Sequence, residues 1–449
     1  MDAGRRWAVA SDRVVLPDAV RPAAVLVEGE RIAAVVPRGE TPADFPLEDL
    51  GPLAIAPGLV DAHVHINEPG RTEWEGFDSA TRAAAAGGVT TLVDMPLNSS
   101  PVTTDVDALR IKRDAARGKC WVDVGFYGGL VAGNAPAIES LLDQGVLGIK
   151  AFLCDSGLDE FPAATPDDLR QAAPALARAG RPLLVHGELT RWPAPRPASA
   201  RLYAEYLASR PPQWESDAID LLVDVCREFR CPAHLVHLAN GDALPALEAA
   251  RREGLPLTVE TCPHYLHFSA EEIRPGRTEF KCAPPIREGR HRELLWAGLA
   301  RGVIDTVGSD HSPCPPGMKQ LESGDFMSAW GGIASLQLTL PIVWTGAAAR
   351  SIALQRMFRW LSTAPARLVG LAGHKGAIAA GCDADLVVWD PEVRWTVRGA
   401  ELQHRHKLTP YDGQTLRGQV RRTYVRGTKV FDSGHWSDAP TGELLSARS

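Results

Sequence analysis

Hydrophobic and polar positions change rhythm twice along this chain. Residues 1–57 alternate in short pieces, as where Ala24, Val25, Leu26 and Val27 meet the polar turn Glu28-Gly29-Glu30 before Ile32 and Val35. Period-two runs joined by a Gly-containing turn predict β-hairpins. From Gly58 the texture becomes continuous apolar runs at 59–66, 89–95, 122–127, 148–153, 182–186, 233–238, 257–261 and 304–310. Short runs without alternation suit strands covered on both faces. Between them, 79–86, 105–117, 137–144, 166–179, 216–228, 243–252 and 288–301 are rich in Ala and Leu and suit helices. Strand-and-turn texture returns at 377–391 and 422–430, and the polar tail from about Asp438 is expected to be loose.

Strand and helix alternating eight times predict an α/β fold, a (β/α)8 TIM barrel over residues 58–370. The β segments at 1–57 and 371–449 are each too short for a core of their own, so they are expected to pair into one small β-sandwich. A doubly wound open sheet is the alternative. The barrel is preferred because the candidate functional residues end strands one, four, five, six and eight, and only a closed barrel brings those ends to one mouth.

Those candidates begin with His63-Val64-His65 at the end of the first run, just before Pro69-Gly70 must leave the sheet. With a period of two, both imidazoles project from one face, as a borderline-soft divalent metal requires. An HxH pair alone also occurs in ordinary cores, but Lys150, His186, His237 and Asp310 each end another run of the same kind. Two divalent cations about 3.5–4 Å apart need an anionic bridge. An ammonium at Lys150 would be repelled, whereas its amine carboxylated by CO2 offers one carbamate oxygen to each ion. Asp310 is the expected general base and later the acid for a leaving nitrogen, its competing role being a helix N-cap before Ser312-Pro313. His234 competes with His237, but at three residues' separation the two are expected to face opposite sides of the strand.

Composition narrows the classes. At 449 residues with 45% hydrophobic content, one large domain plus a smaller one is the natural division. The net charge of -7 and the scattered basic residues argue against nucleic acid. No long apolar run predicts a membrane span, and residues 1–20 lack the apolar core of a signal peptide, so a cytoplasmic protein is expected. The 8 cysteines form no CxxC pair and read as buried thiols in a reducing compartment.

At these residues the sequence resembles the cyclic amidohydrolases of the amidohydrolase superfamily, in the hydantoinase and dihydroorotase group, and within it the allantoinases. The resemblance runs over nearly the whole chain. It is densest at 63–77, at Asp94-Met95-Pro96-Leu97-Asn98, at Ile149-Lys150-Ala151-Phe152-Leu153, at Glu260-Thr261-Cys262-Pro263-His264, at 281–287, at Ser309-Asp310-His311-Ser312-Pro313 and at Ala329-Trp330-Gly331-Gly332. It implies metal ligands at His63, His65, carboxylated Lys150, His186, His237 and Asp310. It also implies two divalent ions, zinc first with cobalt, manganese or iron as alternatives, and a homotetramer. Gly187 departs from the Ala that the family often has after the strand-five histidine. The implied reaction is hydrolytic opening of the allantoin ring to allantoate, with hydantoins, dihydropyrimidines and dihydroorotate as alternative substrates. Dihydroorotate enzymes carry an Arg two residues after HxH, to pair with the substrate carboxylate; here Asn67 stands there, which suits a neutral ring. Asn98 is the candidate partner for the ureido arm of allantoin. The group also holds neuronal signalling proteins that kept the fold and lost the ligands, a scaffold reading against which six retained ligands weigh.

Overall fold

The computed structural model describes residues 5–190, 192 and 197–447. The apolar runs form parallel strands at Leu59–Val64, Val89–Asp94, Asp123–Phe126, Ile149–Leu153, Leu183–Leu189, Ala233–Val236, Leu257–Thr261 and Thr306–Val307. Every residue of the first two strands is buried, because one face meets the barrel interior and the other meets the helices. Strand three bends at Tyr127. Its first half pairs with strand two, and its continuation, Gly128–Leu130, pairs with strand four. Closure comes where the His65 amide donates to the His311 carbonyl at 2.8 Å, joining strand eight to strand one. The chain is therefore a closed barrel, and the open-sheet alternative is set aside.

The crossover helices include Phe77–Ala86, Val106–Ala116, Ile138–Asp143, Pro166–Ala179, Pro212–Phe229, Leu244–Arg252 and Gly289–Arg301. Their ends follow local chemistry: Thr165 and Asp168 form a reciprocal cap before Pro166–Ala179, and Gly180 ends that helix in the left-handed region at φ 61. The helices Thr339–Ala349, Leu354–Phe358 and Ala364–Leu368 complete the ring after strand eight. Among the described residues, no helix is long and apolar enough to cross a membrane.

The terminal segments meet in one continuous sheet. Among the described residues it has nine strands, in which Ala54–Pro57 joins the N-terminal strand Arg6–Val15 to the C-terminal strand Leu386–Thr396. Alternate residues serve two cores. Ala54, Ala56, Val387 and Trp389 pack toward the barrel, while Ile55, Leu386 and Val388 join Val9, Val25, Ile32 and Ile378 in a separate cluster.

The tail corrects the expectation of a loose end. Leu444 pairs with Val124, and the amides of Gly442, Leu445 and Ala447 donate to Cys120, Val124 and Gly145. The first half of strand three lacks a strand-four partner, so its free edge is satisfied by this polar segment, whose backbone serves as well as any strand's.

Candidate active site

The C-terminal ends of the strands converge on a cavity of about 480 Å³ whose walls include His63, His65, Lys150, His186, His237 and Asp310. All six are buried. The His63 ring centroid lies 5.7 Å from that of His65 and 5.4 Å from that of His237, which is 4.6 Å from that of His186. Asp310 Oδ1 stands 3.2 Å from His63 Nε2 and 3.4 Å from His65 Nε2. No helix begins at Asp310, so the N-cap reading fails.

Local backbone aims several of these groups. Asp310 and His237 have φ of 45 and 41, and Asn67 and Asn98 have 69 and 67. Non-glycine residues hold the left-handed region only where surrounding contacts impose it, and four of them lie at this rim. At His237 the turn resets the alternation of strand six. His234 consequently does not face away from the site: it is buried inside the barrel, with Nδ1 2.8 Å from Thr258 Oγ1 and Nε2 3.7 Å from Glu260 Oε2. The expectation of opposite faces assumed an unbroken strand.

Several charges that the sequence left without a role support the rings. Glu260 Oε1 lies 2.7 Å from His63 Nδ1, which leaves Nε2 facing Asp310. Burial alone would raise the Glu260 carboxyl, but His63 and His234 hold it down to about 2. Gly308 is required here, since a Cβ would meet Glu260 Oε2 at 2.5 Å and His63 Cβ at 3.1 Å. Asp61 accepts from the amides of His63 and Ser309, and Glu188 Oε2 lies 2.8 Å from His186 Nε2. A carboxylate two residues from two of the histidines, Asp61 before His63 and Glu188 after His186, was the signal available in the sequence. Gly187 between the latter pair has Leu235 Cδ1 where a Cβ would point, at 2.8 Å.

Burial disfavours a positive charge on several of the donors. Burial lowers His186 to about 4 and, with His186 and Lys150 adjacent, takes His237 well below its ordinary value. Burial also brings Lys150 down to about 8. Lys150 Nζ and His237 Nδ1 have no hydrogen-bond partner among the described residues. Orphaned buried polar atoms are costly. Imidazoles, a carboxylate and an unpartnered amine converging on one cavity form a donor set that fits divalent cations.

Of the two asparagines that the sequence singled out, one lines the cavity and the other does not. Asn67 does not line the cavity; its amide donates to the Pro313 carbonyl at 3.2 Å, tying the loop after strand one to that after strand eight. The cations that do line the cavity are Lys150, Arg210 and Lys281. Arg210 is clasped by Glu188, and Lys281 donates to the carbonyls of Met327 and Ala329. Asn98 lines the cavity with its amide 3.2 Å from His65 Nδ1.

The profile of the Amidohydrolase family matches residues 54–193 and 196–430. The chain is 50% identical to an allantoinase of Streptomyces avermitilis over 97% of each chain. It is 44% identical to an allantoinase of Arabidopsis thaliana, over 96% of this chain and 89% of that one. Among solved structures, an L-hydantoinase (dihydropyrimidinase) of Arthrobacter aurescens superposes with a TM-score of 0.90 at 29% identity, over 98% of this chain and 99% of that one.

Proposed function

This chain belongs to the amidohydrolase family, and from that premise we propose that it hydrolyses the ring amide of allantoin to give allantoate. The observation that carries this reading is the convergence of the six buried residues on one cavity, in a chain half identical to an allantoinase. His63, His65, Lys150, His186, His237 and Asp310 are proposed to hold two divalent ions, zinc first, with Lys150 carboxylated on its amine. The lowered Lys150 supports this, because only the neutral amine adds CO2 and a carbamate relieves an otherwise unpartnered buried nitrogen.

When bound, the two cations would acidify the attacking water and polarise the scissile carbonyl. Asp310 takes the water proton. Burial would raise its carboxyl, but His63 and His65 hold it below the usual range, so it is ionised at neutral pH. As the new C–O bond forms and the ring C–N bond breaks, Asp310 returns that proton to the departing nitrogen. Glu260, Glu188 and Asn98 keep the imidazoles in their tautomers and orientations. For His65 Nε2 to offer a lone pair, Nδ1 must carry the hydrogen; the Asn98 amide, whose Nδ2 stands 3.2 Å away, would then turn its oxygen to the ring and present its NH2 to the ureido arm. The engaged states of Arg210 and Lys281 favour a neutral ring over a carboxylate such as dihydroorotate.

A cytoplasmic homotetramer is part of the same proposal; the buried, unpaired state of all eight cysteines supports a reducing compartment. The test compares kcat/KM for allantoin, dihydroorotate and a 5-alkyl hydantoin with the metal-loaded protein. Allantoin is expected to be preferred by at least about tenfold, roughly 1.4 kcal/mol of transition-state discrimination. Equal or better turnover of the alkyl hydantoin would assign the chain to the hydantoinases instead.

A further inference from the structure

We propose that a chain of four charged residues, Glu188, Arg210, Arg287 and Glu215, all but Arg210 buried, positions His186 and His237 as a pair and so governs one of the two cation positions separately from the other. This rests on the two-cation reading above. His186 Nε2 lies 2.8 Å from Glu188 Oε2; donating there leaves the lone pair on Nδ1, the nitrogen free to face a cation. Arg210 grips Glu188 with two nitrogens, Nε donating to Oε1 at 2.9 Å and Nη2 to Oε2. The Arg210 carbonyl in turn accepts from Arg287 Nη2 at 3.2 Å, and Arg287 Nε donates to Glu215 Oε1 at 2.7 Å. Glu215 Oε2 accepts from the amides of Ala239 at 3.0 Å and Asn240 at 2.9 Å, directly beyond His237.

The chain of contacts thus runs from the ring on strand five to the loop that carries the ring on strand six. Glu188, Glu215 and Arg287 are 0%, 1% and 3% exposed. Removing such charges from water is expensive, and apolar residues would hold these elements together as well or better. These carboxylates end instead on an imidazole nitrogen and on the backbone that sets His237 at φ 41. His63 and His65 are supported by different residues, Glu260 and Asn98. One contact crosses between the halves, from the His237 amide to Glu260 Oε1 at 3.2 Å.

Full-length protein loaded with Co2+ is challenged with a chelator, the ions per chain being counted and their release followed by visible absorption. A wild type holding fewer than two ions per chain defeats the two-cation reading itself, before any variant is compared. Given two, Glu215→Gln is expected to release one ion at least about tenfold faster, the scale on which outer supports tune metal affinity, while the other keeps its wild-type rate. Glu188→Gln, at the opposite end, should give the same selective release, and the double variant little more than either alone. Release of both ions accelerated equally, or neither accelerated, overturns the proposal. Should Glu215→Gln fail to fold, Arg287→Lys, which keeps the charge and loses the fork, carries the same comparison.

Discussion

The mouth and the base of the barrel each bury a lysine, and they treat it oppositely. Lys150 at the mouth is fully enclosed, has no hydrogen-bond partner, and is lowered to about 8 by burial. Lys375 at the base is also buried, but its Nζ lies 2.7 Å from Asp123, 2.7 Å from Asp385 and 3.1 Å from Asp383. Burial would lower it too, yet these carboxylates hold it above its ordinary value. Arg426 closes the cluster from the C-terminal sheet by pairing with Asp123 at the start of strand three. Equal burial therefore does not set the outcome; the partners do. The base cluster is a satisfied structural joint between barrel and sheet, and the mouth retains an unsatisfied amine that chemistry can use.

The most severe way to break this contrast is to remove residues 380–449, which takes away Asp383, Asp385 and Arg426 together with the strand paired to Ala54–Pro57. We propose that residues 1–57 and 371–449 form one unit beside a barrel at 58–370, so the truncated chain is expected to be insoluble or unfolded. Recovery of a soluble truncation with an undiminished melting temperature would show that the two units are independent.

At the mouth, Lys150→Ala is expected to abolish turnover, by at least about four orders of magnitude or roughly 5.5 kcal/mol, and to lower the metal content. A small carboxylate in the buffer should restore part of the activity by supplying the missing oxygens. Thermal stability of the metal-free chain should hold or rise, since an unpartnered buried amine has been deleted. Full metal loading with full turnover in this variant would remove Lys150 from the site.

The same deletion at the base should act in the opposite sense. Lys375→Met leaves the buried Asp123 and Asp385 and the partly exposed Asp383 without their shared cation and is expected to cost about 3–5 kcal/mol in denaturant unfolding. The kcat of the folded fraction should stay within about twofold. A loss of activity without loss of stability would mean the base communicates with the mouth.

Smallest is the pH response of the chelated protein at low CO2. Between about pH 8 and the ordinary lysine value near 10.4, the unfolded chain holds a proton that folded Lys150 has released, so this group makes stability rise with pH by about 1–3 kcal/mol. Lys375, with a raised folded value, contributes stability that is complete below about pH 10.4 and lost above it. Urea unfolding across this range should show the rise vanish in Lys150→Met; a rise that persists there would have another origin.

The sequence by itself determined the order of elements and which residues stand at strand ends. The apolar runs required two-sided cover, alternation with helices required a parallel sheet, and that sheet brought His63, Lys150, His186, His237 and Asp310 to one rim. Hydrophobic periodicity reports burial and strand phase, and both are averaged over a run. It could not report single left-handed residues, so the inward turn of His237 above an already inward His234, and the turning of Asn67 to Pro313, were decided by tertiary contacts. Nor could it tell a loose polar tail from one whose backbone completes a strand edge, since backbone hydrogen bonds leave no mark on side-chain composition. The different fates of Lys150 and Lys375 belong to the same class. Each is a lone lysine in the sequence, and only the fold decides which carboxylates, one as near in the chain as Asp385 and one as far as Asp123, come within 3 Å of its nitrogen.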